Sequence, residues 1–316
     1  MRHTLKKKPG ALKKGNTIGI VAPASPASAE KLNTAIKIIE DMGYRVKIGR
    51  SCYENYGYLA GSDDVRAYDI NDMFASPEIS AIFCMRGGYG TLRILDLLDY
   101  ESISKNPKIF LGYSDITAIH IALIQKSGLV TFHGPMPAAD FTCNDFNKFT
   151  KDAMLKALTS NSPLGEIKSP EGYPAAEMLV PGSAEGEIIG GNLSVIVSTI
   201  GTPYEIDTRG KLLMIEEIGE EPYRIDRMLT QLRLSGKLND AAGIILGQFT
   251  NCVPKHPEKS LTLDQVFRDI LVPLNKPVIK GVCFGHEEHK ATIPMGVKAR
   301  IDGERAALLI EESAVL

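Results

Sequence analysis

Residues 109–116 read Ile-Phe-Leu-Gly-Tyr-Ser-Asp-Ile, an apolar run that turns through a short Gly-Tyr-Ser step into a helical pattern. The run predicts a buried strand over Lys108–Leu111, and the apolar spacing that follows predicts a helix over Ile116–Gln125. A serine at such a strand-to-helix turn stands exposed at the carboxyl edge of a sheet. Ser114 is therefore a candidate nucleophile.

The same turn predicts where a negative charge could be stabilised. The backbone N–H of Asp115 is available to an oxyanion, and the N-terminus of the following helix favours an anion. The pattern departs from G-x-S-x-G because Ile116 replaces the second glycine. Ser114 as the N-cap of the helix is the alternative interpretation.

The strand–helix alternation continues on both sides of this turn. Further strands are predicted over Thr17–Ala22, Arg45–Ile48, Ala81–Met85 and Leu129–Phe132, with helices over Ala29–Met42 and Asp63–Ala75. Alternation of this kind predicts a parallel, doubly wound sheet covered on both faces, with ligand sites beyond the carboxyl ends of the strands.

A chain of 316 residues exceeds the size at which a single core stops growing, so we predict two domains. The periodic pattern gives way to Asn, Ser, Pro and Gly from about Asn144 to Ala175, which predicts a linker over 146–177. The first domain is predicted over 14–145 and the second over 178–316. The second should hold a mixed sheet or partial barrel of the swivelling type with flanking helices, its strands predicted over Gly186–Ile189, Lys211–Ile215, Gly243–Leu246, Ala299–Ile301 and Ala306–Ile310, and its helices over Asp226–Leu234 and Leu263–Leu271.

The composition excludes several classes of protein. A formal net charge of -2 gives no bulk attraction to nucleic acid or acidic lipid. The sequence contains no uninterrupted run of about 18 apolar residues, so no membrane span is predicted. The chain has five cysteines: Cys52, Cys84, Cys143, Cys252 and Cys283. They are scattered and form no C-x-x-C pair, which favours a reducing cytosol over a disulfide framework or a zinc ribbon.

A glycine-rich loop, Arg86-Gly-Gly-Tyr-Gly90, follows another predicted strand at the same sheet edge. Adjacent glycines let the backbone approach a ligand closely, which suits an oxyanion or carboxylate cradle, and a tight turn is the alternative. A dinucleotide-binding fingerprint is excluded because Arg93 stands where its third glycine belongs.

Two more stretches end in groups suited to acid–base chemistry. The buried strand ending at Ile215 is followed by Glu216 and Glu217, and Gly281–His289 reads as a strand that ends in Gly285 and His286. The His-Glu-Glu-His string does not predict a zinc site, because zincins place their histidines four apart on a helix. Each group alone is more often structural, but together they supply a nucleophile, a base and an acid that orients the base.

The sequence resembles the LD-carboxypeptidase family, also called murein tetrapeptide carboxypeptidases, over nearly its whole length. The matching stretches, in order, are Val21-Ala-Pro-Ala-Ser-Pro26, Gly57-Tyr-Leu-Ala-Gly-Ser-Asp-Asp64 with Arg66, Arg86-Gly-Gly-Tyr-Gly90, Gly112-Tyr-Ser-Asp-Ile-Thr117, His133-Gly-Pro-Met136, Gly190-Gly-Asn-Leu193, Glu221-Pro-Tyr-Arg-Ile-Asp-Arg-Met-Leu229 and Phe284-Gly-His286.

The resemblance implies a Ser-His-Glu triad formed by Ser114, His286 and Glu216. Glu216 is preferred to Glu217 because it matches the first carboxylate after the family's hydrophobic strand. The implied oxyanion hole uses the N–H groups of Asp115 and of a glycine in the 86–90 loop, which we assign to Gly88. The terminal carboxylate of a substrate needs a cationic or N–H-rich partner, and the candidates are Arg86, Asn192 and Arg224. The alternative for Arg224 is a surface ion pair.

The resemblance also implies a cytoplasmic, homodimeric serine peptidase that removes the terminal D-alanine of murein tetrapeptide during peptidoglycan recycling. Because no stretch of the sequence has convincing ligand spacing for a catalytic metal, we expect no metal and no other cofactor. A related branch, the microcin C self-immunity peptidases, recognises an aminoacyl-adenylate-like ligand partly by stacking on an aromatic residue such as tryptophan. The absence of Trp from this chain favours the muropeptide. A non-catalytic module that binds a peptide or nucleotide is the rival from another class.

Overall fold

A computed structural model gives the structure of residues 6–142 and 146–316. Cys143, Asn144 and the predicted domain boundary at residue 145 lie outside the described residues. The chain forms two units. The first comprises the chain up to Ser162 together with Thr292–Gly296 and Ser313–Leu316, and the second comprises Pro163–Ala291 and Val297–Glu312.

The strands and helices are named in chain order. The strands are β1 Thr17–Val21, β2 Arg45–Ile48, β3 Ile79–Cys84, β4 Ile109–Gly112, β5 Thr131–His133, β6 Gly165–Glu166, β7 Glu177–Val180, β8 Ala184–Asn192, β9 Leu212–Ile218, β10 Gly243–Thr250, β11 Val278–Lys280, β12 Ile293–Met295, β13 Lys298–Asp302 and β14 Ala307–Ile310. The α-helices are α1 Ala29–Asp41, α2 Asp63–Ala75, α3 Tyr100–Lys105, α4 Thr117–Ala122, α5 Lys148–Thr159, α6 Leu193–Ser198, α7 Pro222–Leu234, α8 Lys237–Asp240 and α9 Leu263–Leu271.

The first unit is built on a sheet with the strand order β12-β5-β4-β3-β1-β2. The strands from β1 to β5 pair in parallel, as the alternating sequence pattern predicts. All five residues of β1 are buried, which is expected for a strand covered on both faces. α1 and α2 begin where Ser28 and Ser62 accept hydrogen bonds from the backbone of the first turn.

One strand of this sheet departs from the prediction. β12 pairs antiparallel with β5, so the sheet is not parallel throughout. The segment is three residues long and contains Pro294, which cannot donate a ladder hydrogen bond and is therefore tolerated at an edge. So short a strand carries no periodic signal, and its partner lies far away in the sequence.

The segment predicted as a linker contains a helix. α5 lies within 146–177 and belongs to the first unit, and the second unit begins at Pro163 rather than near residue 178. Asn147 caps α5 by accepting a hydrogen bond from the backbone N–H of Thr150, and Met154, Ala157 and Leu158 are buried. The polar residues of this stretch thus include a helix cap as well as a connection.

The second unit is built on a sheet with the order β6-β14-β13-β8-β9-β10-β11-β7. Its central strands, β8 to β11, are parallel, and antiparallel strands flank them on both sides. The mixed sheet predicted for the second half is confirmed, as is the division into two α/β parts. The edge strands of this sheet are β6 and β7.

Within residues 6–142 and 146–316, no helix is long and apolar enough to cross a membrane.

Candidate active site

Ser114 lies at a strained turn directly after β4. Tyr113 is extended, and Ser114 has a φ of 63°, in the left-handed region that residues with a side chain rarely adopt. A short 3-10 turn, Ser114–Ile116, then leads into α4. Among these described residues, no side chain caps the N-terminus of the 3-10 turn or the N-terminus of α4 by a hydrogen bond. The cap interpretation of Ser114 is therefore wrong, and the turn has the strained geometry that presents a nucleophile.

A buried histidine, His120, stabilises the backbone at this turn by a hydrogen bond. The carbonyl of Gly112 accepts hydrogen bonds from Nε2 of His120, at 2.8 Å, and from the backbone N–H of Gly134, at 3.1 Å. His120 is fully buried, and burial lowers the pKa of its imidazole to about 4. The ring is therefore neutral near pH 7, and its proton lies on the nitrogen that donates to Gly112.

The side chain of Asp115 ties the turn to the glycine loop. Its carboxylate accepts the backbone N–H of Thr91 at 2.9 Å, and its backbone carbonyl accepts the Thr91 hydroxyl at 2.6 Å. Burial raises the pKa of Asp115, while the hydrogen bonds from Thr91 oppose the shift. This side chain holds the loop in place, and the catalytic prediction concerns only its backbone N–H.

The glycine that faces Ser114 is Gly87. A Cβ at position 87 would lie 2.9 Å from Cβ of Ser114, 3.1 Å from its Oγ and 3.4 Å from the backbone nitrogen of Asp115. A Cβ on Gly88, the predicted oxyanion donor, would instead lie 2.3 Å from Oγ of Ser25. Sequence reasoning missed Gly87 and Ser25, although both lie in motifs that it singled out.

Arg86 is exposed beside these glycines. Its Nη1 donates to the carbonyl of Pro26 at 3.3 Å. The first unit thus brings Ser114, Asp115 and the 86–90 loop together.

In the second unit, Glu216 pairs with His286. Oε2 of Glu216 lies 2.6 Å from Nδ1 of His286, and the carboxylate is fully buried within β9. Its Oε1 is also buried and has no hydrogen-bond partner among the described residues. A buried carboxylate at this distance from Nδ1 orients the ring, because it requires a proton on that nitrogen.

Glu217 has a different set of partners. It accepts hydrogen bonds from Asn192 Nδ2 at 3.0 Å, from the N–H and hydroxyl of Ser194 at 2.8 and 2.6 Å, and from the N–H of Ile218 at 2.8 Å. Burial raises its pKa, and these hydrogen bonds oppose the shift. Consecutive residues of a strand point to opposite faces, so Glu217 holds the start of α6 while Glu216 meets the histidine.

His286 does not end a strand, contrary to the prediction. β11 stops at Lys280, and residues 281–292 are irregular. Gly281 has a φ of 78° and Gly285 a φ of 134°, values that break an extended run. A Cβ on Gly285 would lie 3.3 Å from Oε2 of Glu216, so glycine allows this loop to approach the carboxylate closely.

The second histidine of the His-Glu-Glu-His string has a different partner. Nδ1 of His289 lies 2.7 Å from the Tyr173 hydroxyl, and the two ring centroids are 4.6 Å apart. Across residues 6–142 and 146–316 there is no group of three or more His, Cys, Asp or Glu side chains placed to hold a metal ion.

Two predicted substrate contacts are engaged within the protein. The Asn192 side chain is buried, caps α6 by accepting the N–H of Val195 at 3.2 Å and donates to Glu217. Arg224 pairs with Glu220 at 3.3 Å and donates to the Tyr223 hydroxyl at 3.0 Å, which matches the surface-pair alternative.

A serine held in a strained strand-to-helix turn and a histidine oriented by a buried carboxylate are the parts from which serine hydrolases are built. The LD-carboxypeptidase N-terminal domain model matches residues 18–134, and the LD-carboxypeptidase C-terminal domain model matches residues 185–301. The chain belongs to the LD-carboxypeptidase family, as the sequence motifs predicted, and this membership supports a carboxypeptidase role.

Individual relatives agree with the family models. A probable murein peptide carboxypeptidase of Bacillus subtilis (strain 168) is 48% identical over 308 residues, covering 98% of this chain and 95% of the relative. The microcin C7 self immunity protein MccF, solved as an inactive mutant in the apo state, has a TM-score of 0.89 at 27% identity and covers 98% of this chain and 99% of that one. A muramoyltetrapeptide carboxypeptidase from Oxalobacter formigenes has a TM-score of 0.83 at 30% identity, covering 94% and 99%.

Proposed function

We propose that this protein is a serine-type LD-carboxypeptidase that releases the terminal D-alanine from murein tetrapeptide in the cytoplasm, as a step of peptidoglycan recycling. The observation that carries the proposal is the 2.6 Å contact between Glu216 and Nδ1 of His286, because it leaves Nε2 as the basic atom of the ring. The names of the relatives supply the substrate class.

In the proposed mechanism, Ser114, His286 and Glu216 act as one triad. Nε2 of His286 removes the proton from the Ser114 hydroxyl as Oγ attacks the carbonyl carbon of the scissile bond. Glu216 keeps the proton of the neutral ring on Nδ1 and stabilises the imidazolium that forms. The tetrahedral intermediate then collapses, and D-alanine leaves with the proton that His286 returns to its amine. Water, activated by the same histidine, hydrolyses the acyl-enzyme.

The negative oxygen of the tetrahedral intermediate needs donors that are already in position. We assign them to the backbone N–H of Asp115 and to a glycine N–H of the 86–90 loop, for which Gly88 remains the prediction. The lack of a side chain on Gly87 lets this loop approach Ser114 closely. Losing one such donor typically lowers the rate by roughly 100-fold to 1,000-fold.

Arg86 is the best candidate to bind the carboxylate of the leaving D-alanine. It is exposed, it lies on the loop beside Ser114, and a guanidinium carries five donors that match a carboxylate. Asn192 is less suited because it is buried and holds Glu217, and Arg224 is less suited because it already pairs with the carboxylate of Glu220, whereas Arg86, among the described residues, donates only to a backbone carbonyl.

The second candidate is a peptidase of the self-immunity type, which the likeness to MccF favours. One solved form of that protein contains aspartyl sulfamoyl adenosine. The absence of Trp from this chain favours the muropeptide instead.

Mass spectrometry of purified muropeptides incubated with the enzyme tests the proposal. We expect tetrapeptide to become tripeptide with release of D-alanine, and no change with Ser114→Ala. Cleavage of an aminoacyl sulfamoyl adenosine with no effect on tetrapeptide would support the second candidate. Stoichiometric binding without turnover of either compound would support a binding module.

The oligomeric state is part of the same proposal. A homodimer is expected from the family resemblance, and the net charge of -2 together with the lack of a long apolar run predicts no nucleic acid or membrane partner. Sedimentation at micromolar concentration should give the mass of a dimer, and a monomer there would refute this part.

A further inference from the structure

The loop that carries His286 is held by one glutamine of the neighbouring strand. Oε1 of Gln248 accepts the backbone N–H of Glu287 at 3.0 Å, and its Nε2 donates to the carbonyl of His289 at 2.7 Å. The backbone N–H of Gln248 donates to the carbonyl of Phe284 at 2.8 Å. These hydrogen bonds bracket His286 on both sides along the chain.

The amide of Gln248 can face only one way. Its oxygen meets an N–H and its nitrogen meets a carbonyl, so rotating the amide by half a turn would lose both hydrogen bonds. A glutamine that accepts and donates simultaneously to one irregular loop fixes the path of that loop, because the loop lacks a strand ladder of its own.

A β-bulge brings Gln248 to this position. β10 pairs with β9 through Leu246 opposite Ile215 and then through Phe249 opposite Glu217. Two residues of β10, Gly247 and Gln248, therefore span the place of one residue on β9, which is Glu216. Bulges commonly redirect a side chain beside a functional site. The carboxylate that contacts the histidine ring and the amide that holds its backbone thus lie at the same level of the sheet.

The adjacent glycine supports this arrangement. A Cβ on Gly247 would lie 2.5 Å from the carbonyl oxygen of Phe284 and 2.6 Å from its ring, so the loop can pack this closely only against glycine.

We propose that Gln248 is a positioning residue for catalysis: it fixes the backbone on both sides of His286, so that the ring held by Glu216 stays where it can accept the serine proton. This inference rests on the proposed role of His286 as the base. Gln248 acts through the loop and has no direct part in the reaction.

Replacing Gln248 should not detach the loop from the unit. The Cys283 thiol also donates to the His289 carbonyl, at 3.2 Å, and the carbonyl of Cys283 accepts the N–H of Ala291 at 2.7 Å. The expected effect is a loss of precision around His286 rather than unfolding.

The test compares Gln248→Met, which keeps the length of the side chain without its amide, with Gln248→Glu and with the control Gln231→Met on the exposed side of α7. With tetrapeptide as substrate, we expect Gln248→Met to lower kcat about 10-fold to 100-fold while KM stays within about twofold, since misplacing a catalytic group costs rate more than binding. The control should match the wild type.

The pH dependence of kcat in Gln248→Glu distinguishes a positioning role of Gln248 from a purely structural one. Ionised glutamate can accept from Glu287 but cannot donate to His289, whereas protonated glutamate can do both. The kcat of Gln248→Glu relative to wild type should therefore rise as the pH falls. A ratio that is flat with pH, or a Gln248→Met enzyme whose kcat is within about twofold of wild type, overturns the proposal.

Hydrogen exchange separates this proposal from the proposed function. Exchange of the Glu287 amide should accelerate at least about tenfold in Gln248→Met and remain unchanged in the control, because that N–H donates to Gln248. If wild-type protein releases no D-alanine from tetrapeptide, the proposed function fails, whereas accelerated Glu287 exchange in Gln248→Met would still show that Gln248 holds the His286 loop. Unchanged Glu287 exchange in an active enzyme refutes the inference about Gln248 alone.

Discussion

Replacing Ser114 by alanine and by glycine separates its chemical role from its conformational cost. A residue with a Cβ in the left-handed region costs about 1–2 kcal/mol relative to ordinary helical backbone, and the φ of 63° puts Ser114 there. Alanine retains that cost. Glycine removes it but loses about 0.5–1 kcal/mol more conformational entropy on folding. Ser114→Gly should therefore be about 0 to 1.5 kcal/mol more stable than Ser114→Ala, and Ser114→Ala should be about as stable as wild type.

Both variants should lose turnover of tetrapeptide by more than about 1,000-fold, because removing a triad nucleophile leaves only the oxyanion hole and substrate binding. His286→Ala should lose as much, and combining it with Ser114→Ala should scarcely add to the loss. Thermal unfolding measures the conformational part, where about 1 kcal/mol corresponds to roughly 2 °C in a protein of this size. A higher stability of Ser114→Gly than of the wild type would show that the backbone at this residue is strained in the wild-type enzyme.

Two results would refute this reasoning. Near wild-type release of D-alanine by Ser114→Ala, or an acyl group trapped on another residue, would remove the nucleophile assignment. A Ser114→Gly protein less stable than Ser114→Ala would show that the turn is not strained, and a loss of about 0.5–2 kcal/mol in Ser114→Ala would show that the hydroxyl stabilises the fold as a cap does.

Three further predictions follow from the geometry. Glu216→Gln should lower kcat by about 1,000-fold to 10,000-fold because the ring of His286 loses its orienting charge. Glu217→Gln should instead mainly lower the free energy of unfolding, by about 1–3 kcal/mol. Steady-state kinetics and urea unfolding distinguish the two variants, and the opposite pattern would make Glu217 the catalytic acid. The folded-state pKa of His120 is about 4, below its unfolded value of about 6.5, so its contribution to stability is complete above pH 6.5 and is lost as the pH falls toward 4, by up to about 3 kcal/mol. Urea titrations should show this slope in wild type, and an equal slope in His120→Gln would contradict it. Activity should survive EDTA, and a loss that zinc restores would contradict the triad model.

Much of the fold could be predicted because its strands are short apolar runs and its helices carry local start signals. α2 was predicted at its observed bounds, since Ser62 caps it and an apolar pattern follows. The prediction failed where a segment takes its shape from distant partners. β12 exists because β5 offers an open edge, and α5 depends on burying Met154 and Leu158.

The candidate site shows the same limit. Strand–turn–helix patterning predicted Ser114, positions after predicted strands predicted Glu216, Glu217 and His286, and the family resemblance favoured Glu216 over Glu217. Nothing local in the sequence distinguished Gly87 from Gly88 as the glycine that faces the serine. Gln248 also carried no signal, because its role comes from a bulge in β10 and from a loop about 40 residues further along the chain.

The return of the chain to the first unit has a consequence for biosynthesis. Residues 292–296 provide the strand that covers β5, and they are made only after the whole sheet of the second unit except β13 and β14. Folding therefore cannot follow the order of translation to completion, since the sheet that holds Ser114 has an unpaired edge until residue 296 has left the ribosome. Uncovered edges recruit other strands, so a fragment ending at Ser162 would be prone to self-association. The first unit therefore completes its sheet only after most of the second unit has been made.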